Sequence, residues 1–152
     1  MVAQVFNIYT AKGYAGDLPD STSALVSQSV VAAVPLGFGI AANGDGTIVA
    51  SGGYVHGITR RELNHEAANR PSDGTTNYIV GSSVSVLRQG YIYVEVTGRA
   101  AVAGALANVV DATGAFTGGS AGAGESASTN VVFQEAGIVG SVVKAWIEHQ
   151  PV

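Results

Sequence analysis

The chain lacks cysteine and carries unusually little charge. Because there is no cysteine among its 152 residues, neither disulfides nor thiolate metal sites can contribute to the fold. Charged residues make up 12% of the chain, about half of the roughly 25% that is usual in soluble domains. A molecule with so little polar surface is expected to be covered in part by other copies of itself or by a partner.

Long hydrophobic runs and an excess of basic residues are absent as well. No apolar stretch approaches the roughly 20 residues of a membrane-spanning helix, and the start of the chain lacks the basic and apolar regions of a signal peptide. The net charge of −4 comes from seven basic and eleven acidic residues, which argues against nucleic acid as a ligand. We therefore expect a protein made in a cytoplasm, with neither a membrane nor a nucleic acid as its partner.

Short β-branched and aromatic runs, bounded by Gly, Asn, Asp and Ser, are abundant and are typical of strands. Turn signals at Gln89-Gly90 and at Asp111–Gly114 predict hairpins between neighbouring runs. Many short strands with frequent turns indicate an all-β sandwich or a closed barrel. The eleven predicted strands are Val5–Tyr9, Val26–Val34, Phe38–Ala41, Gly46–Ala50, Tyr54–Thr59, Asn77–Val80, Val84–Arg88, Tyr91–Thr97, Ala107–Val110, Thr129–Gln134 and Val142–Glu148.

Alternation is clearest between Tyr91 and Thr97, where Ile92, Val94 and Val96 share one face and are expected to be buried. In the last predicted strand the same pattern places Trp146 on a half-buried outer face. The length suits a single domain over residues 1–152. Residues 1–17 are expected to form an extended N-terminal arm.

Charge is concentrated between Arg60 and Asp73. Six of the 18 Asp, Glu, Lys and Arg residues lie in these fourteen positions, together with one of the three histidines. Residues 62–69 could form a short helix that ends before the proline at position 71. On such a helix Glu62, Glu66 and Arg70 would share one face and form ion pairs. Structural or interface ion pairing is favoured over a catalytic role, and specificity for a partner is expected to reside in this segment.

No catalytic or metal-binding pattern is complete. His65-Glu66 begins a zinc-protease motif, but position 69 is Asn where a second histidine is needed. His56 is expected to be a hydrogen-bonded sheet residue, and His149 an exposed one. No serine lies in a Gly-x-Ser-x-Gly turn between a strand and a helix, and no pair of carboxylates is singled out. The sequence predicts no enzyme, no cofactor and no metal.

The charged segment and its surroundings resemble a known family. The run from Gly57 to Thr75, which includes an unusual Arg-Pro-Ser-Asp-Gly-Thr block, and its continuation from Tyr78 to Val94 resemble tailed-bacteriophage structural cement (capsid decoration) proteins. The resemblance covers most of the chain. Other similar segments are Asn7–Asp17, Asp111–Phe116, Val131–Phe133 and Val142–Ile147.

This resemblance implies a jellyroll-like antiparallel β-sandwich on the outer surface of a phage head. It also implies a homo-oligomer, with a dimer preferred to a trimer, that bridges neighbouring HK97-like major capsid proteins and stabilises the shell. The alternative is a carbohydrate- or receptor-binding β module of a phage tail or fibre, with Tyr91, Tyr93 and Trp146 as a sugar-binding platform. The candidate partner-contacting residues are Arg60, Arg61, Glu62, His65, Glu66, Arg70, Asp73, Phe6, Tyr9 and Tyr14.

Overall fold

The computed structural model describes residues 13–19, 24–29, 33–41, 53–61, 77–78, 81 and 83–149. Every regular element within these residues is a strand and none is a helix, so the all-β prediction is confirmed. The predicted strands Val5–Tyr9 and Gly46–Ala50 and the predicted helix at 62–69 lie outside the described residues. The described strands are β1 (Ala24–Ser29), β2 (Val34–Pro35), β3 (Gly39–Ile40), β4 (Gly57–Thr59), β5 (Asn77–Tyr78), β6 (Ser83–Thr97), β7 (Leu106–Val110), β8 (Phe116–Thr117), β9 (Glu125–Phe133) and β10 (Val142–Ile147).

The fifteen-residue strand β6 organises the fold. The hairpin predicted at Gln89-Gly90 is wrong, because both of its expected arms belong to this one continuous strand. Gly90 has a φ of 135°, a conformation open to glycine, where the strand passes from one set of partners to another. Before Gly90 the strand pairs with β1 and β4, and after it with β10 and β8. A glycine that looked like a turn signal therefore lies within a strand.

The second part of β6 belongs to a closed barrel of five strands. β6 pairs with β10, β10 with β9, β9 with β7, and β7 with β8, all antiparallel. β8 then pairs with β6 in parallel and closes the ring. The antiparallel jellyroll sandwich is therefore not clearly present: these strands form a small mixed barrel with additional strands. Closure leaves no free edge among these five strands, so none of their edges has to be covered by a second sheet.

The remaining strands extend from the first part of β6. β1 pairs with one edge of β6, and β4 pairs with the other edge and in turn with β3. A separate two-stranded pair joins β2 and β5. This arrangement places residues 57–61, which lead into the charged segment and include its first two residues, beside β6.

The core fills the barrel interior from alternating positions. Ile92, Val94 and Val96 of β6 are fully buried, as the alternation predicted. β10 contributes Ala145 and Ile147 in the same way, while its polar and aromatic residues remain half-buried on the outside. A second, smaller cluster lies under the extension; it consists of Val34, Ile40, Val84 and Val86, with Leu36 and Phe38 packed against it.

Candidate functional site

The structure describes three of the ten residues predicted to contact a partner. Tyr14 and Arg61 are in direct contact although 47 positions separate them in sequence, and Arg60 is the residue next to Arg61. The other predicted contact residues, which are Phe6, Tyr9, Glu62, His65, Glu66, Arg70 and Asp73, lie outside the described residues.

A tight turn presents the Tyr14 ring. The Tyr14 backbone N–H donates to Asp17 Oδ2 at 2.8 Å, and the Asp17 N–H donates to the Tyr14 carbonyl at 3.0 Å. Gly16 has a φ of 87°, and a Cβ there would lie 2.7 Å from the Arg61 nitrogen, so only glycine fits this position. The turn leaves Tyr14 68% exposed, which is unusual for so large an aromatic side chain.

Arg61 fixes this turn from the other side. Its guanidinium carbon lies 4.2 Å from the centroid of the Tyr14 ring, and its Nη1 lies 3.5 Å from Asp17 Oδ2. The Arg61 backbone N–H donates to the Gly16 carbonyl at 2.9 Å. A cation–π contact of this kind contributes about 0.5–1 kcal/mol at an exposed site. The ring is thus held in one orientation and faces solvent.

The turn is fastened to the barrel by main-chain hydrogen bonds. The Gly16 N–H donates to the Tyr93 carbonyl at 2.7 Å, and the Tyr93 N–H donates to the Asp17 carbonyl at 2.9 Å. The Arg60 N–H donates to the Ser85 carbonyl, which sets Arg60 beside β6. We call the group of Tyr14, Asp17, Arg60 and Arg61 the arginine–tyrosine surface. Its parts come from two distant segments, and main-chain hydrogen bonds connect both segments to β6.

The aromatic residues on the outside of the barrel pack against each other. Tyr91 and Trp146 are cross-strand partners whose ring centroids lie 4.7 Å apart at an interplanar angle of 63°. The Lys144 ammonium lies 5.5 Å from the Tyr91 ring. An edge-to-face pair is a stable aromatic arrangement, but it does not offer the coplanar rings on which a sugar would stack.

Sequence reasoning missed an exposed apolar cluster at the end of the barrel. Val102, Leu106, Ile138 and Val139 are large apolar residues that face solvent, and an isolated strand bridge joins the segment leading into β7 to the loop between β9 and β10. We call these four residues the apolar tip. These residues carry no distinctive sequence signal, because only the fold brings their two segments together.

Sequence reasoning also treated the histidines separately, whereas two of them share one cluster. The Arg88 Nη2 lies 2.8 Å from Nδ1 of His149, and the Tyr54 hydroxyl lies 3.3 Å from the same nitrogen. Arg88 Nε donates to the His56 carbonyl at 3.2 Å. The pKa of His56 is lowered by burial and, secondarily, by the positive charges of Arg88 and His149.

Within the described part of the chain, no three His, Cys, Asp or Glu residues are arranged to hold a metal ion. Nor does any helix there have the length and apolar character needed to cross a membrane.

Comparison with known proteins identifies a family. The model of a family described as structural cement protein (E217 gp24/Pam3 gp6) matches residues 2–147. Among solved structures, a chain from "The capsid of Myoviridae Phage XM1" has a TM-score of 0.70 at 16% sequence identity, and the match covers 97% of each chain. At this identity the likeness shows a shared fold. No curated protein matches the chain.

The family match spans nearly the whole sequence, and the structural match independently supports the fold. The chain therefore belongs to the phage structural cement proteins and is a non-enzymatic structural component of a bacteriophage capsid.

Proposed function

We propose that this protein, made in the cytoplasm of a bacterial host, binds the outer surface of the phage head and bridges neighbouring HK97-like major capsid proteins. The arginine–tyrosine surface is the observation that carries this proposal. It combines an exposed aromatic ring with two arginines, the residue types that are enriched at protein interfaces and at their hot spots. Because the ring is already held by Arg61 and Asp17, little side-chain freedom is lost when a partner covers it.

Several modest contacts account for stable attachment better than one large contact. The four partly exposed residues of the apolar tip offer roughly a few hundred Å², below the roughly 800 Å² per partner of a standard interface. A molecule that touches two shell subunits converts the second contact into an intramolecular one and gains avidity. In this proposal the arginine–tyrosine surface determines the position on the shell, and the apolar tip adds uncharged contact area.

A second part of the proposal is self-association as a homodimer, which we favour over a trimer. β1 pairs with β6 along one edge and with no other described strand. Leu25 and Val26 point to opposite faces, and both are more than a third exposed, so both faces of β1 are open. An open edge strand is suited to pairing with a second copy by main-chain hydrogen bonds.

Residues 1–12, which precede the arginine–tyrosine surface, are proposed to reach across to a neighbouring subunit as an arm. The described residues 13–17 of the predicted arm are fastened to β6, so the arm would extend from a fixed point. Charged residues 62–73 are proposed to add specificity next to Arg60 and Arg61, because they follow these residues directly in sequence. The whole chain, on this proposal, forms a single domain.

Co-sedimentation with purified heads that lack this protein tests the proposal. We expect Arg60→Glu and Tyr14→Ala each to weaken binding by at least about tenfold, because interface charges and aromatic anchors contribute on that scale. Arg61→Glu should weaken binding more, since it also removes the contacts that hold the ring. Lys144→Glu reverses a charge on the other side of β6 and is the matched control.

The melting temperature of each variant establishes whether it is folded. Attachment of folded Arg60→Glu and Tyr14→Ala at the level of the original protein would remove the arginine–tyrosine surface from the interface. If the original protein itself fails to bind heads, the bridging function is wrong.

The dimer is tested separately by the mass of the protein in solution. Val26→Lys places a charge on the open edge strand and is expected to yield a monomer, whereas Ser29→Lys at the end of β1 should do so less. A monomeric mass for the original protein at concentrations used for head binding would contradict the proposed dimer.

The carbohydrate-binding alternative gains no support from the geometry. Tyr91 and Trp146 pack edge to face and half-bury each other, and Lys144 lies over Tyr91. A sugar-dependent rise in melting temperature would revive this alternative.

A further inference from the structure

The turn that carries Tyr14 has a second support in addition to β6, a close contact between two buried glycines. A Cβ on Gly16 would lie 3.2 Å from the Gly37 nitrogen. A Cβ on Gly37 would lie 2.8 Å from the Gly16 nitrogen and 2.9 Å from the Ala15 Cβ, and Gly37 has a φ of 74°. The two main chains therefore approach more closely than larger residues would allow.

Gly37 is itself held by Thr59, the last residue of β4. Thr59 is fully buried, and its hydroxyl donates to the Pro35 carbonyl at 2.7 Å and accepts from the Phe38 N–H at 3.1 Å. In the main chain, the Gly37 N–H donates to the Thr59 carbonyl at 2.9 Å, and the Thr59 N–H donates to the Phe38 carbonyl at 3.0 Å. Leu36 and Phe38 pack against the smaller core cluster. The turn between β2 and β3 is thus fixed to β4 and to the interior.

The same glycine contact reaches Arg61. The Arg61 N–H donates to the Gly16 carbonyl at 2.9 Å, and a Cβ on Gly16 would lie 2.7 Å from the Arg61 nitrogen. Gly16 therefore touches both Gly37 and Arg61, and Thr59 is connected to both, to Gly37 by a hydrogen bond and to Arg61 through the chain. The Tyr14 ring lies two residues from Gly16, and its distance of 4.2 Å from the Arg61 guanidinium depends on where Gly16 is held.

We propose that Thr59 and Gly37 are positioning residues for the arginine–tyrosine surface. Both are buried, so neither touches a partner; they act by holding Gly16 where the Tyr14 ring meets Arg61. This inference rests on the proposed attachment to the head and deepens it. It assigns the orientation of the exposed ring to a buried hydroxyl and to a contact between two glycines.

The physical reason is that the Thr59 hydroxyl has no substitute in the interior. Without it, the Phe38 N–H loses its acceptor and the Pro35 carbonyl loses its donor. Because unpaired buried groups are costly, the turn must shift to find new partners. A shift of this turn moves Gly37 relative to Gly16, and the position of the Tyr14 ring changes with it.

Two variants disturb this support at different points. Thr59→Val keeps the size of the side chain but removes the hydroxyl, and Thr59→Ser retains the hydroxyl as the conservative rescue. Gly37→Ala places a methyl group against Gly16 and Ala15. Gly81→Ala is the matched control: Gly81 has a φ of 86°, but a Cβ there would meet nothing within 4 Å. The control therefore carries a similar backbone strain without displacing a neighbour.

The first measurement needs no phage head. The Arg61 side chain lies over the Tyr14 ring, so the ring current shifts the Arg61 side-chain proton NMR resonances upfield. Tyr14→Leu identifies this shift by removing it. We expect Thr59→Val and Gly37→Ala to lose most of the shift, and Thr59→Ser and Gly81→Ala to keep it.

The second measurement is binding to heads that lack this protein, at a temperature at which each variant is folded. Thr59→Val and Gly37→Ala should each weaken binding by about tenfold, the loss expected for Tyr14→Ala. Thr59→Val combined with Tyr14→Ala should bind no more weakly than Tyr14→Ala alone, because both changes remove the same contact. A merely structural role would give losses that add.

Each outcome decides the inference. An unchanged upfield shift in folded Thr59→Val or folded Gly37→Ala would overturn it, and so would additive losses in the double variant. Failure of both variants to fold at any temperature would also overturn it, since their effect would then be global. If the original protein does not bind heads, the proposed function is wrong, while the NMR shift still shows whether Thr59 and Gly37 position the Tyr14 ring.

Discussion

Replacing Asn130 by alanine is expected to destabilise the protein more than any other single change to a buried polar residue on β9. The side chain makes three hydrogen bonds, at 2.8, 2.9 and 3.0 Å, to backbone groups of Val55 and Glu148. Val55 is fully buried, so water cannot replace the lost partner of its N–H and carbonyl groups. The change also removes the bridge that the Asn130 side chain makes between Val55 and Glu148.

The magnitude follows from the bond count. Each hydrogen bond contributes about 1 kcal/mol net, so the loss is about 3 kcal/mol, with a further contribution from buried backbone groups left unpaired. In a domain of this size each kcal/mol lowers the melting temperature by about 2–4 °C, so a drop of about 10 °C is expected. Ser128→Ala, on the same strand, removes a single bond to the Val131 carbonyl and should cost about a third as much.

Asn130→Asp sharpens the test because it preserves size. The carboxylate keeps the acceptor for the Val55 N–H but directs a negative oxygen at the carbonyls of Val55 and Glu148. This variant should be less stable than Asn130→Ala at neutral pH and recover partly in acid, since a protonated carboxyl can donate again. Urea unfolding of the four proteins measures the free energies. Equal losses in Asn130→Ala and Ser128→Ala would refute the reasoning.

Three other single-site changes have defined outcomes. Gly114→Ala should destabilise the protein far more than Gly124→Ala. Both glycines have a positive φ, but only at Gly114 would a Cβ lie 2.0 Å from a backbone oxygen of β3. Equal melting temperatures of the two variants would contradict this expectation. The pKa of His56 is lowered, first by burial and then by neighbouring positive charge, so the unfolded chain protonates this histidine at a higher pH than the folded protein does. The stability of the protein should therefore fall as the pH drops below 6.5. His56→Gln should flatten that part of a stability-against-pH curve. Arg99 bonds Glu125 across the glycine-rich loop, and the pKa of Glu125 is lowered, first by a loop backbone N–H and then by Arg99. The stability that this carboxylate adds is complete above pH 4.5 and is lost as the pH falls through the lowered pKa. Arg99→Gln should therefore reduce the loss of stability in acid and speed amide exchange in the loop.

The sequence predicted the faces of the strands well because alternation is a local property. Ile92, Val94 and Val96 were expected on one buried face of a strand, and all three are fully buried. Trp146 was expected on a half-buried outer face and lies there. These outcomes need only the two-residue period of a strand and the cost of exposing apolar side chains.

The sequence misled where a local signal had two structural meanings. Gln89-Gly90 has the composition of a turn, but glycine also permits the backbone of a bent strand, and pairing with four other strands keeps β6 continuous. β8 was missed because it has two residues and no pattern of its own, yet it is the strand that closes the barrel. An antiparallel jellyroll is not clearly present for the same reason, since β8 pairs with β6 in parallel.

The sequence by itself determined the all-β class, the buried faces of the main strands and the family resemblance, because these depend on residue type and short-range order. Only the tertiary structure decided that Tyr14 meets Arg61 and that Arg88 meets His149. The two pairs join residues 47 and 61 positions apart, respectively, and their contacts depend on which strands pair with β6. Strand pairing is a long-range choice that no local pattern encodes, so the surfaces that it assembles appear only in the folded molecule.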